Sequence, residues 1–228
     1  MGQTVSSYYE RGCDFAELLE RVHQVEGLER IRYTSPYPND FSDRLLETLA
    51  ALPRVGRHIH LPVQSGSTRL LKDMRRGYSA ERFLDLIGRV RRILPRHALS
   101  TDIIVGYPGE TEEEFEMTLD LVREVRFDSA FMFIYSEREG TLAARRKPDN
   151  IPIEVKKARL ARLIELQESI SKAEFAKMVG QEAEILVQGP SRRNPNDMIG
   201  RTSCFRSTIL PEMDVRPGEL VPVRIVGA

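Results

Sequence analysis

The feature that most restricts the fold is an alternation of amphipathic helices and short apolar strands through residues 15–135, each closed by a proline, a glycine or a capping hydroxyl. Phe15, Leu18, Leu19 and Val22 recur at helical spacing and stop at Gly27. Arg30-Ile31-Arg32-Tyr33-Thr34 reads as a short strand, and Ser42 is placed to cap a helix that Pro53 closes. His58-Ile59-His60-Leu61-Pro62-Val63 is the next strand. Ser79 then caps a helix to Leu94, Leu99 to Val105 is a buried strand, and Thr111 opens an acidic helix with Glu114 set for a capping box. That helix runs to Val125, and Phe131 to Tyr135 completes the series. Strand, crossover helix and strand at this spacing build a parallel sheet with right-handed crossovers. A series that opens on a helix implies an earlier strand upstream of Met1.

The pattern then changes. Pro152 to Val179 reads as one long helix, with Leu160, Leu163, Ile164, Leu166, Gln167 and Ile170 as a stripe on a charged cylinder, ended by Gly180. Beyond it, Ala183–Val187 and Leu220–Ile225 alternate as strands between turns at Gly189-Pro190, Asn194-Pro195 and Pro217-Gly218. A small, barrel-like β-domain is expected there.

In a parallel α/β sheet, ligands sit at the carboxyl ends of the strands. The turns there are Thr34-Ser35-Pro36, Gln64-Ser65-Gly66-Ser67, Gly106-Tyr107-Pro108-Gly109-Glu110 and Tyr135-Ser136. Each alone is ordinary turn chemistry; their recurrence at one end of the sheet points to a shared pocket. No serine has a His–Asp arrangement and no Walker glycine pattern occurs. Glu110, Glu112, Glu113 and Glu114 read as carboxylates favoured at a helix amino terminus. No side-chain catalytic set stands out, as expected where a cofactor carries the chemistry.

Charge and cysteine content narrow the options. Lys+Arg and Asp+Glu each total 34, so the net charge is zero. That argues against wholesale non-specific nucleic-acid binding. Arg145-Arg146-Lys147 and the group Arg192, Arg193, Arg201, Arg206 remain as local clusters, read first as solvated surface. The two cysteines, Cys13 and Cys204, form no CxxC or CxxxCxxC spacing, so the chain by itself holds no thiolate-ligated cluster. His58 and His60 read as polar strand positions rather than ligands. No apolar run approaches the roughly 18 residues of a membrane span. Gly2-Gln3-Thr4-Val5 does not read as a signal peptide, and a cytoplasmic protein is expected.

Longer motifs carry a resemblance. His60-Leu61-Pro62-Val63-Gln64-Ser65-Gly66-Ser67 with Leu71-Lys72-Asp73-Met74-Arg75-Arg76-Gly77-Tyr78, Ser100 through Thr111, and Tyr135-Ser136 with Gly140-Thr141-Ala143-Ala144 together resemble the radical-SAM methylthiotransferase family. Gly2-Gln3-Thr4-Val5-Ser6-Ser7-Tyr8 is similar to the end of that family's second barrel strand, and the C-terminal β-domain with Gly200-Arg201-Thr202 is similar to its RNA-binding TRAM domain. The resemblance implies an α/β fold: a partial radical-SAM (β/α)6 barrel missing its first strand over residues 1–150, a connecting helix over 151–179, and a TRAM-like β-domain over 180–228. It implies S-adenosyl-L-methionine and 4Fe-4S clusters as cofactors of the complete enzyme, the cluster ligands being absent from this chain. It implies as substrate C2 of an N6-prenylated adenosine next to the anticodon, with the threonylcarbamoyladenosine branch as the nearer rival. By motif position Gln3 lies near the amino-acid moiety of S-adenosyl-L-methionine, Gln64 and Ser65 near its ribose or carboxylate, and Ile104, Gly106 and Tyr135 around its adenine. Arg192, Arg193, Arg201 and Arg206 are the expected contacts to the tRNA anticodon arm. The fragment is expected to be inactive alone. A TRAM-bearing RNA binder without catalysis, or a half that pairs with a separate cysteine-bearing chain, stays open.

Overall fold

The computed structural model describes residues 4–34, 36–137, 148–211 and 214–228. Near the amino terminus, β1 (Tyr9–Glu10) and β2 (Cys13–Asp14) form a small antiparallel hairpin. Its turn, Arg11-Gly12, has positive φ at both residues, the twist that a two-residue hairpin requires. Asp14 then caps α1 (Phe15–His23), accepting from the Glu17 amide at 2.9 Å.

The expected helices form with the expected caps. Ser42 caps α2 (Asp43–Ala51), Ser79 caps α4 (Ala80–Ile93), and Thr111 with Glu114 makes the capping box of α5 (Glu112–Val125). One further short helix, α3 (Thr68–Asp73), is capped by Ser67 and has no counterpart among the expected elements. A three-stranded parallel sheet runs β3 (His58–His60), β4 (Ala98–Val105), β5 (Ser129–Ile134), in that order. Pro62, which has no amide hydrogen, shortens β3, although pairing resumes at a Gln64–Ile103 bridge.

The expected strand at Arg30–Thr34 is reduced to a single parallel bridge, Ile31 to Val55. Ile31 uses both its backbone groups, with Arg54 and Gly56 as partners. The neighbouring segment then turns away, because the Arg57 amide donates to Ser203 in the C-terminal domain at 3.0 Å. Residues 32–34 are left without a strand to pair with.

Alternation along the strands gives the sheet two unlike faces. Ile59, Leu61, Val63, Leu99, Ile103 and Val105 are buried under the helices with Leu46, Phe83, Phe115 and Phe127. The opposite face carries His58, His60, Ser100, Asp102, Ile104, Phe131 and Phe133, and the two phenylalanines are exposed.

The long helix, α6 (Ile153–Ala176), lies against β4, β5 and α5. Its buried residues are Lys156, Arg159, Leu163, Gln167 and Ile170, so the inward stripe opens with two cations that the apolar pattern does not include. Gly180, at φ +84°, turns the chain into a four-stranded antiparallel sheet ordered β8-β7-β6-β9. These are β6 (Glu182–Pro190), β7 (Met198–Thr202), β8 (Ser207–Leu210) and β9 (Leu220–Arg224). The expected strands Ala183–Val187 and Leu220–Ile225 correspond to β6 and β9; β7 and β8 are additional. Ile185, Val187 and Leu210 form the small core of this sheet.

Candidate functional site

Backbone pairing places three of the strand ends side by side. The Gln64 amide donates to Asp102 O at 2.8 Å, the Ile104 amide to Gln64 O at 3.0 Å, and the Tyr135 amide to Val105 O at 2.8 Å. Gln64, Ile104, Gly106 and Tyr135 therefore lie along one edge. Gln64 has φ 72°, a left-handed conformation uncommon outside glycine, and its side-chain amide makes no hydrogen bond among the described residues. The Tyr135 hydroxyl is buried without a partner among those residues. A buried polar atom left in that state costs free energy unless something else meets it. Gln3 and Ser35, with Gly140-Thr141-Ala143-Ala144 and Arg145-Arg146-Lys147, lie outside the described residues.

The Gln-Ser-Gly-Ser turn is locked from below. Ser65 is fully buried, its hydroxyl 3.4 Å from Thr118 Oγ1 and accepting from the Ser67 amide at 3.1 Å. The Gly66 amide donates to Thr118 Oγ1 at 2.9 Å, and the Ser67 hydroxyl donates to Glu114 Oε1 at 2.9 Å. A Cβ on Gly66 would stand 2.3 Å from the Met117 carbonyl oxygen, so glycine is what lets the turn sit on α5. Ser65 thus shapes the turn, with its hydroxyl committed to protein partners.

Charged groups form the floor: Glu110, already marked by the sequence, with Lys156 and Arg159, which the sequence pattern does not single out. Glu110 accepts from the Gly106 amide at 2.7 Å and from Arg159 Nη1 at 2.8 Å. Burial pushes its carboxyl above the usual range in spite of that guanidinium. Glu110 therefore belongs to the strand-end turn and is more than a macrodipole residue. Lys156 pairs with Asp149 and donates to Tyr135 O at 3.4 Å. Its stem fills the space a Gly106 side chain would need, coming within 2.5 Å of that Cβ position. Gly106 is thus explained by packing against α6 before any ligand is invoked. Tyr107 stands edge-on to Tyr135, ring centroids 5.2 Å apart.

A polar row crosses the open face of the sheet. His58 Nε2 and His60 Nδ1 each lie 2.8 Å from the Ser100 hydroxyl. His60 Nε2 is 3.4 Å from Asp102 Oδ1, and Arg32 Nη2 is 3.4 Å from His58 Nδ1. Burial first, then the charge of Arg32, lowers the His58 pKa to about 4. The strand pattern marks both histidines as polar, but their shared partner on β4 is set by register.

The four arginines expected to contact RNA separate into two groups. Arg192 and Arg193 are exposed in the turn between β6 and β7. Arg206 pairs with Asp128, its Nε donating at 2.9 Å, and so ties the β-domain to the α/β body. Arg201 donates to Phe205 O at 3.1 Å and stacks on the Phe205 ring, which also lies 3.0 Å under the Arg32 guanidinium. A cavity of about 590 Å³ lies between the end of α6 and the β-domain, lined by Phe175, Met178, Arg206, Ile209, Leu210 and Val223.

The residues present do not fit an iron–sulfur cluster. The chain has two cysteines, Cys13 buried in the hairpin and Cys204 donating to Arg96 O at 2.9 Å. No group of three or more His, Cys, Asp or Glu is placed to hold a metal among the described residues. Nor is any described helix long and apolar enough to cross a membrane.

A parallel α/β unit with a glycine-bearing loop edge narrows the class, and comparison settles it: residues 1–122 match the radical SAM superfamily. The chain belongs to that superfamily, whose cofactors are S-adenosyl-L-methionine and a 4Fe-4S cluster. It is 50% identical to the tRNA-2-methylthio-N(6)-dimethylallyladenosine synthase of Moorella thermoacetica, over 100% of this chain and 52% of that protein. The same-named protein of Methylacidiphilum infernorum is 50% identical over 93% of this chain and 45% of its own length. The chain spans about half the length of the curated relatives it matches. Among solved structures, coproporphyrinogen III oxidase from Escherichia coli, a radical SAM enzyme, aligns with a TM-score of 0.49 at 17% identity, covering 78% of this chain and 45% of that one.

Proposed function

We propose that the chain is the cofactor-pocket and RNA-docking portion of a tRNA methylthiotransferase acting on C2 of an N6-prenylated adenosine next to the anticodon. The single observation that carries this reading is the 50% identity over the whole chain to a tRNA-2-methylthio-N(6)-dimethylallyladenosine synthase. Residues 1–150 are the partial barrel, 151–179 the connecting helix, and 180–228 the TRAM-like domain that meets the anticodon arm. Gln64, Ile104, Gly106 and Tyr135, with Gln3, form the wall toward S-adenosyl-L-methionine. The Tyr135 hydroxyl, buried without a partner among the described residues, supports this, since a nucleoside-type ligand supplies a polar edge for it. The cluster that would act on that cofactor is held by cysteines other than the two in this chain.

In this reading the chain's own residues bind, orient and exclude water. Glu110 and Arg159 hold the Gly106 turn, Lys156 closes the edge beside Tyr135, and the Ser65–Thr118 contact keeps Gln64 in place. Holding a C–H bond in reach of a reactive centre depends on positioning of this kind.

The test is expression in bacteria deleted for their own 2-methylthio synthase, followed by mass spectrometry of tRNA nucleosides. The chain alone should give no methylthiolated adenosine. Supplied with the cluster-bearing remainder of the Moorella thermoacetica relative, it should restore the modification. Two folded, soluble halves that give none would overturn the proposal.

A further inference from the structure

The polar row on the open face contains more than a set of contacts. We infer that Arg32, His58, Ser100 and His60 form a one-way hydrogen-bond chain that ends facing the Asp102 carboxylate, and that His60 and Asp102 are positioning residues for a planar heteroaromatic base with an N–H donor edge.

The direction follows from counting protons. A guanidinium only donates, so Arg32 requires the Nδ1 of His58 to be an acceptor. Neutral His58 then carries its hydrogen on Nε2 and donates to the Ser100 oxygen. Ser100 has one hydrogen left to give, and it goes to Nδ1 of His60. In its neutral form His60 must carry its own hydrogen on Nε2, facing the Asp102 carboxylate. The opposite direction fails at both ends: His58 would set an N–H against a guanidinium N–H, and His60 would set a lone pair against a carboxylate. Arg32 and Asp102 thus fix both tautomers through one serine, and the low pKa of His58 agrees with its place in the chain.

The chain ends where the surface changes character. The side chains of His60 and Asp102 are 23% and 29% exposed. Asp102 is in register with Phe131, which is 59% exposed and stands edge-on to His60 with centroids 6.0 Å apart. Phe133, two pairs further on beside Ile104 and on the same face, is 52% exposed. An anionic acceptor beside two uncovered aromatic rings suits a flat base, stacked on the rings and donating an N–H to the carboxylate. The choice of a base as occupant rests on the RNA reading proposed above; the proton order rests on geometry alone.

The experiment uses the full chain labelled with ¹⁵N-histidine, with adenosine and, separately, a fluorescent anticodon stem–loop RNA as probes. In its neutral form each imidazole should carry its hydrogen on Nε2. Ser100→Ala should release His60 from its fixed tautomer, and Ser100→Thr, which keeps the hydroxyl, should restore it. Adenosine should move the His60 signals, and Asp102→Asn, which puts an N–H donor where the acceptor stood, should weaken it about tenfold or more. His60 protonated on Nδ1, His60 signals indifferent to adenosine, or equal adenosine affinity in Asp102→Asn would each overturn the inference. Failure of the wild-type chain to bind the stem–loop would instead count against the RNA reading, leaving the tautomer and adenosine measurements to decide this one.

Discussion

Gly66 and Glu114 show how much of the loop edge depends on single atoms. Any side chain at position 66 meets the Met117 carbonyl at 2.3 Å, and that backbone belongs to a helix that cannot easily give. Gly66→Ala should cost about 1–3 kcal/mol in urea unfolding, the usual range for forced overpacking. Glu114 accepts from Arg69, Ser67 and the Thr111 amide, and these bonds, Arg69 foremost, lower its pKa from 4.5 to about 2. The ionised form is therefore favoured by folding. Its contribution is complete above pH 4.5 and disappears as pH falls from there toward 2. Glu114→Gln should flatten the stability profile over that window, as followed by denaturation at successive pH values. The Gln-Ser-Gly-Ser turn was legible as a motif; that its serines and glycine serve the seat on α5 was not, because Thr118 lies far along the chain.

At the scale of elements, α6 clamps the strand ends with charge as well as with Leu163 and Ile170. Arg159 reaches Glu110 with both side chains almost wholly buried, at 7% and 1% exposure. Removing one member of such a pair strands the other. Arg159→Ala should cost about 3–5 kcal/mol, and the double variant with Glu110→Ala distinctly less than the sum of the two single ones. A double-mutant cycle in chemical denaturation reads this directly. Helix ends were legible because Ser42, Ser79 and Thr111 cap locally. The stripe on α6 was legible only for its apolar members: a cation reads as outward-facing unless its partner is known, and both partners, Asp149 and Glu110, precede the helix in the chain.

Across the whole molecule, the β-domain is fastened by Arg206 to Asp128, by Arg30 to Glu184 at 3.1 Å, and by Phe205 between the guanidinium groups of Arg32 and Arg201. The basic cluster at residues 192–206 therefore divides. Arg206→Leu should separate the melting of the β-domain from that of the α/β body, seen as a second calorimetric transition at lower temperature. On the proposed RNA-docking reading, Arg192→Ala with Arg193→Ala should leave melting unchanged and weaken stem–loop RNA binding. The salt slope should fall by about one for each phosphate that is no longer neutralised. Sequence spacing could not make this division, since Asp128 and Arg206 are brought together only by the docking of two sheets.

The sequence by itself determined what local chemistry controls: the capped helices, the apolar strands of a parallel sheet, the change to β-structure after Gly180, and the long motifs that set the chain among its relatives. Tertiary structure alone decided which polar groups are spent on the protein and which are left without a partner among the described residues. Ser65, Arg206 and Glu110 are engaged internally, while the Tyr135 hydroxyl is left without a described partner and the His60–Asp102 end of the polar row stays partly open. The reason is one of range. A cap or a strand is fixed by residues a few positions apart, whereas the fate of a buried donor depends on a partner delivered by sheet register and helix docking from a distant part of the chain.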